Sequence, residues 1–144
     1  LATDDGQELV ALNEVYVGHA SHQTARYRLG WDDLEERQAS SGVIVGTGTG
    51  ATGWCLSAWS ERERLIELPG PLSHELAWFV REAWPSPTTH TGLTQGLLVD
   101  DDLRIDVESD RLVAFGDGIE ADRLELTWGQ RVTVARADRV LRLV

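Results

Sequence analysis

At 144 residues the chain is one domain, long enough to bury roughly two thirds of the surface its unfolded form exposes. Twenty-four acids face 13 basic residues, all arginine, and the net charge of −11 opposes binding to a nucleic-acid backbone. One cysteine excludes an internal disulfide and fits a reducing, cytoplasmic setting, and no apolar run approaches the roughly 20 residues of a membrane span. No signal segment opens the chain, and because Leu1 is not an initiator methionine the chain is expected to begin inside a longer polypeptide.

Residues 1–6 are polar and turn-like. Residues 9–17 predict a strand whose two faces are both largely apolar, so it is expected to be buried on both sides. Asn13 and Glu14 interrupt it, and a buried polar pair needs partners. Either they satisfy a local bulge or they touch a ligand. His19 and His22 lack nearby Cys or acids and read as surface loop residues, not metal ligands. Residues 25–31 alternate cleanly, Gly30-Trp31-Asp32-Asp33 makes a turn, and residues 34–38 return as a more polar strand.

Val43-Ile44-Val45 reads as a buried strand that empties into a loop of alternating Gly and Thr, residues 46–53, ahead of a short helical segment with Leu56 and Trp59 three apart. Glycines let a backbone approach a phosphate or nucleotide, and helix-start N–H groups favour negative charge. Three readings compete. Gly48-Thr49-Gly50-Ala51-Thr52-Gly53 matches the dinucleotide fingerprint, with Glu67 as the distal acid, but that motif needs a βαβ unit around it. A Walker loop needs a lysine, and the chain has none. The third is a turn without a ligand.

Glu61-Arg62-Glu63-Arg64 is a solvated charge run, and Pro69-Gly70-Pro71 breaks the chain. Residues 73–84 predict the one long helix: Ser73 as N-cap, His74 in the first turn, and Leu76, Phe79, Val80 and Ala83 at i, i+3, i+4, i+7. Pro85 and Pro87 stop it. From Gly96 the pattern predicts a β meander, with strands at 97–99, 103–107, 111–115, 124–127, 132–135 and 140–144. The acidic triplet 100–102 reads as a solvated hairpin tip. Short strands at about ten-residue spacing argue an antiparallel sandwich.

Ala11-Leu12-Asn13-Glu14-Val15, Ser41-Gly42 opening a strand, Thr47-Gly48-Thr49-Gly50 with Thr52, Trp54 and Ser57, and finally Asp117-Gly118 resemble the carboxy-terminal domain of NAD kinases in order and spacing over most of the chain. Many NAD kinases carry Pro at position 48, Tyr at 54 and Asp at 41; the Ser-Ser-Gly, Thr-Gly-Thr-Gly and Trp variant is similar to the mitochondrial-type enzymes and related bacterial proteins. Trp59-Ser60 stands where a double glycine usually follows the loop helix.

The resemblance implies a mainly β fold across residues 1–144, an antiparallel β-sandwich with one or two helices. The family's amino-terminal α/β domain, with its Gly-Gly-Asp-Gly motif and catalytic Asp, is not in this sequence, so no catalytic residue and no metal ligand is expected in the fragment. It further implies an ATP-dependent enzyme that phosphorylates the adenosine ribose 2′-hydroxyl of NAD to give NADP. That enzyme would use Mg²⁺ in its full-length form and assemble as a homodimer or larger homo-oligomer.

The NAD-binding residues implied are Asn13, Glu14, Ser41, Thr49, Gly50, Thr52, Gly53, Trp54 and Ser57, with Asp117 as a phosphate or ligand contact. An Asn amide answers the donor and acceptor edge of adenine. Trp54 offers either a flat face to a ring or a core anchor under the loop. A non-catalytic nucleotide-binding or assembly module and a lipid kinase relative are the other classes this pattern admits.

Overall fold

The computed structural model describes residues 1–21 and 23–140; His22 and residues 141–144, most of the last predicted strand, lie outside them. Among the described residues the strands are β1 (Ala2–Thr3), β2 (Glu14–Gly18), β3 (Ala25–Trp31), β4 (Leu34–Ser40), β5 (Gly42–Gly46), β6 (Leu76–Arg81), β7 (Gln95–Leu98), β8 (Leu103–Val107), β9 (Leu112–Gly116), β10 (Leu124–Leu126) and β11 (Arg131–Val134), and an α-helix, α1 (Trp54–Ser60), lies between β5 and β6. The strands form two antiparallel sheets, ordered β1-β11-β8-β3-β4 and β10-β9-β2-β5-β6-β7. The predicted antiparallel sandwich is therefore what the chain builds.

Period-two patterning explains the layers. Val15 and Val17 of β2, Val43 and Val45 of β5, Trp78 and Val80 of β6 and Leu112 and Ala114 of β9 point between the sheets, where they meet Tyr27, Leu29, Leu103 and Ile105. The alternate residues Tyr16, Ile44, Ala77, Phe79, Val113 and Phe115 point the other way and pack under Cys55 and Ala58 of α1. The six-stranded sheet is thus a middle layer covered on both faces, which is why β5 and β6 read as apolar runs instead of alternating ones. Among the described residues no helix is long and apolar enough to cross a membrane.

Four expectations need correction. Residues 73–84 are not a helix: Leu76–Arg81 is β6, a central strand paired with β5 and β7. The apparent helical stripe is a subset of a run apolar at every position, and burial on both faces favours the strand. Ser73 instead accepts the Glu75 N–H at 3.2 Å, and His74 sits 2.6 Å from the Arg136 guanidinium.

The strand predicted at 9–17 begins only at Glu14, with Val10 and Leu12 exposed, because the backbone N–H groups of Leu12 and Asn13 are taken by a side chain and not by a ladder. The meander is absent: β7 and β8 lie in different sheets, as do β8 and β9 and β10 and β11. The acidic triplet is therefore a crossover between sheets, not a hairpin tip. The βαβ unit that the dinucleotide reading of the glycine loop required is not built, as the predicted sandwich implied: both sheets are antiparallel and Glu67 is exposed outside any strand.

Candidate functional site

The glycine loop is shaped by the protein's own backbone. A Cβ on Gly48 would stand 1.8 Å from the Gly70 carbonyl oxygen, and one on Gly50 would stand 2.3 Å from the Asn13 carbonyl oxygen. Gly46 clears the Cys55 sulfur, which a Cβ would meet at 2.3 Å. The loop therefore lies directly on the entry to β2. Thr47 ties the two together: its N–H donates to the Asn13 carbonyl at 2.8 Å and its hydroxyl to the Leu12 carbonyl at 2.7 Å.

Asp117 holds the same segment from the other side. Its backbone sits at φ 52° in the β9 turn, and its N–H donates to the Glu14 carbonyl. Its carboxylate accepts the Leu12 N–H at 2.9 Å and the Asn13 N–H at 2.6 Å. Asp117 thus works as a backbone clamp, a role its sequence position beside Gly118 did not disclose. The two of these bonds that involve Asn13 use its backbone and leave its side-chain amide available. Asn13, Glu14 and Thr47 border a cavity of about 140 Å³, with Leu9, Leu76 and Arg136 across from them. Burial, and then the charge of Asp117, holds the Glu14 carboxyl above the usual carboxylate range.

A second cluster forms where α1 begins. Gly18 and Gly42 leave a bare floor on β2 and β5, and the Tyr16 ring lies across it; a Cβ on Gly18 would strike the phenol oxygen at 2.1 Å and one on Gly42 the ring edge at 2.6 Å. Trp54 stacks on that ring, with centroids 5.3 Å apart and planes at 20°. The Arg81 guanidinium lies 5.1 Å from the Trp54 ring centre. The Tyr16 hydroxyl donates to the Ser41 carbonyl at 2.6 Å, and the Ser41 hydroxyl donates to the Glu82 carboxylate. Burial raises the Tyr16 phenol above its ordinary value. Trp54 and Ser57 share a small cavity with Arg81 and Glu82, and Trp54 also walls a larger one, about 360 Å³, with Tyr16, Phe115 and Arg123.

The predicted residues therefore fall in two groups joined by the loop. Asn13, Glu14, Gly50 and Asp117 meet at the β2 entry; Trp54 and Ser57 lie on α1, and Ser41 joins them through Tyr16 and Glu82. Thr49, Thr52 and Gly53 are exposed on the connection between them. Trp54 is an anchor on Tyr16 whatever else its ring touches. Thr47, Tyr16, Arg81 and Glu82 were not legible as site residues; the pair of glycines at 18 and 42 is the signal that Tyr16 needed. The arrangement offers amide, hydroxyl and carboxylate partners and a planar aromatic surface, with a guanidinium at one end. Among the described residues no group of three or more His, Cys, Asp or Glu side chains could hold a metal ion.

No family model matches the sequence, and no curated protein matches it. Solved structures do. An NAD kinase from Archaeoglobus fulgidus in complex with ATP superposes with a TM-score of 0.69 at 18% identity, over 95% of this chain and 49% of that one. Yeast NADH kinase complexed with NADH gives a TM-score of 0.67 at 19% identity, over 92% of this chain and 37% of that one. The chain spans half or less of the length of these relatives. At this identity the likeness speaks for the fold: the chain has the fold of the carboxy-terminal β domain of NAD kinases.

Proposed function

We propose that this chain is the NAD-binding half of an ATP-dependent NAD kinase, which converts NAD to NADP by phosphorylating the adenosine ribose 2′-hydroxyl. The observation that carries the reading is the way Asp117 and Thr47 hold Asn13 and Glu14 beside the Thr-Gly loop, which leads to the aromatic start of α1, on a fold shared with structures of an NAD kinase and an NADH kinase. In this reading Asn13 answers the adenine edge and Glu14 accepts from a ribose hydroxyl. Thr49 and Thr52 supply hydroxyls along the exposed loop, with Gly53 leaving room for the ligand. Ser41, Trp54 and Ser57 receive the far end of the ligand.

These residues bind and orient. Phosphoryl transfer asks little covalent chemistry of a protein, so positioning the hydroxyl in line with the phosphoryl donor is the contribution of this half. ATP and Mg²⁺ belong to the remaining part of the polypeptide, which works in the cytoplasm as a homo-oligomer.

Two measurements test the reading. The intact polypeptide forms NADP from NAD and ATP, whereas the isolated chain does not; NADP formation by the isolated chain, free of contaminating kinase, would refute the division of labour. Asn13→Ala in the intact polypeptide lowers NAD affinity by about 1–3 kcal/mol, roughly ten- to hundredfold, in a calorimetric titration. Unchanged affinity beside a lowered urea midpoint would make Asn13 a purely structural residue.

A further inference from the structure

Glu82, the residue after β6, sits at φ 50°, a left-handed conformation that a non-glycine residue keeps only when its surroundings hold it. Ser41 does the holding. Its hydroxyl donates to one Glu82 carboxylate oxygen, and its N–H donates to the Arg81 carbonyl at 2.9 Å. Ser41 is itself fixed by the Tyr16 hydroxyl on its carbonyl. Yet the Glu82 side chain remains 66% exposed, with its other oxygen 3.9 Å from Arg81, too far for a hydrogen bond. A solvated glutamate gains little packing from such a backbone. What the conformation achieves is placement: the carboxylate is set at the rim of the cavity that Trp54, Ser57 and Arg81 share.

We propose that Glu82 is a ligand-contacting, specificity-determining residue: it accepts a hydrogen bond from an amino group on the planar ring that lies beside Trp54. The inference rests on the NAD reading above and deepens it. With adenine at Asn13, the group of NAD that carries that chemistry at the far end is the carboxamide of nicotinamide. A carboxylate rewards an N–H₂ donor and repels an oxygen put in its place, so it discriminates by penalty as well as by attraction. Ser41 is the positioning residue, and Arg81 balances the charge at the Trp54 end of the cavity.

The experiment is calorimetric titration of the intact polypeptide with three probes: NAD, its hypoxanthine analogue and its nicotinic acid analogue. The unaltered protein binds the nicotinic acid analogue roughly ten- to hundredfold more weakly than NAD, whereas weaker binding of the hypoxanthine analogue reports the Asn13 contact to adenine. Glu82→Gln, which keeps an acceptor for the Ser41 hydroxyl but removes the charge, narrows that ratio by roughly tenfold while the melting midpoint holds. Ser41→Ala moves the ratio the same way by releasing the carboxylate. An unaltered ratio in Glu82→Gln, or an equal loss for all three probes, overturns the assignment while leaving the NAD reading standing. So does an unaltered protein that binds NAD and its nicotinic acid analogue alike. If none of the three binds, the NAD reading falls and this assignment falls with it.

Discussion

Glycines that look like a ligand loop act first as spacers between backbones. Gly48 and Gly50 carry no left-handed conformation; they are needed because a carbonyl stands where a Cβ would go. Gly48→Ala is expected to lower stability by about 1–3 kcal/mol, since a peptide carbonyl yields less than a side chain; a urea melt measures it, and an unchanged midpoint would show that the Pro69–Gly70 segment gives way. Glu14 makes a pH prediction. Its folded carboxyl titrates higher than the unfolded one, so the folded state holds the extra proton, and stability falls as pH rises from the unfolded into the folded range. Glu14→Gln is therefore expected to raise the urea midpoint at neutral pH. The gain should vanish below about pH 4, where both states are protonated. A gain that persists at acid pH would assign the effect to packing.

At the scale of elements, α1 and β6 depend on one another. Seven residues make a marginal helix in isolation, and α1 has no acid in its first turn and no side-chain cap. Its stability comes from Cys55 and Ala58 on the sheet and from Arg62, whose guanidinium donates to the Ala58 carbonyl at 2.8 Å and to the Val80 carbonyl of β6. Burial pushes the Cys55 thiol up to about 12, so it is expected to resist alkylation at pH 8 in the folded protein and to react once urea exposes it. Alkylation at the same rate in both states would show that α1 opens without global unfolding. On the face of β6 opposite α1, Trp78 lies fully buried between the sheets and edges against Trp31 at 5.3 Å. Trp78→Ala should cost about 3–5 kcal/mol, read as a drop in urea midpoint; a loss under 1 kcal/mol would argue that the sheets close over the gap.

Across the whole molecule, charge opposes compaction. Twenty-four acids face 13 arginines, and among the described residues ion pairs such as Arg131 with Asp106 and Arg123 with Glu125 lie at the surface, where each contributes little. Screening should therefore help more than it harms. Raising salt from a few millimolar to ~0.15 M, where the Debye length is about 8 Å, is expected to raise the melting midpoint. A fall would mean that the surface pairs outweigh the net repulsion.

The sequence by itself determined the sandwich, the β3–β4 hairpin, the buried β5 and the unusual loop that follows it, because alternation, turn residues and glycine clusters are local signals. It also put Asn13, Glu14 and the Thr-Gly loop forward as one site, through order and spacing. Tertiary structure decided the rest. Leu76–Arg81 carries a period that fits a helix or a doubly buried strand, and only the sheet on one side and α1 on the other select the strand. Likewise the clamp of Asp117 on Leu12 and Asn13 joins residues more than 100 positions apart. The Tyr16–Trp54 stack needs two glycines from neighbouring strands, and the Ser41–Glu82 bond joins the residue before β5 to the residue after β6. Such pairings depend on register between strands, and a linear pattern carries no register until the sheet has formed.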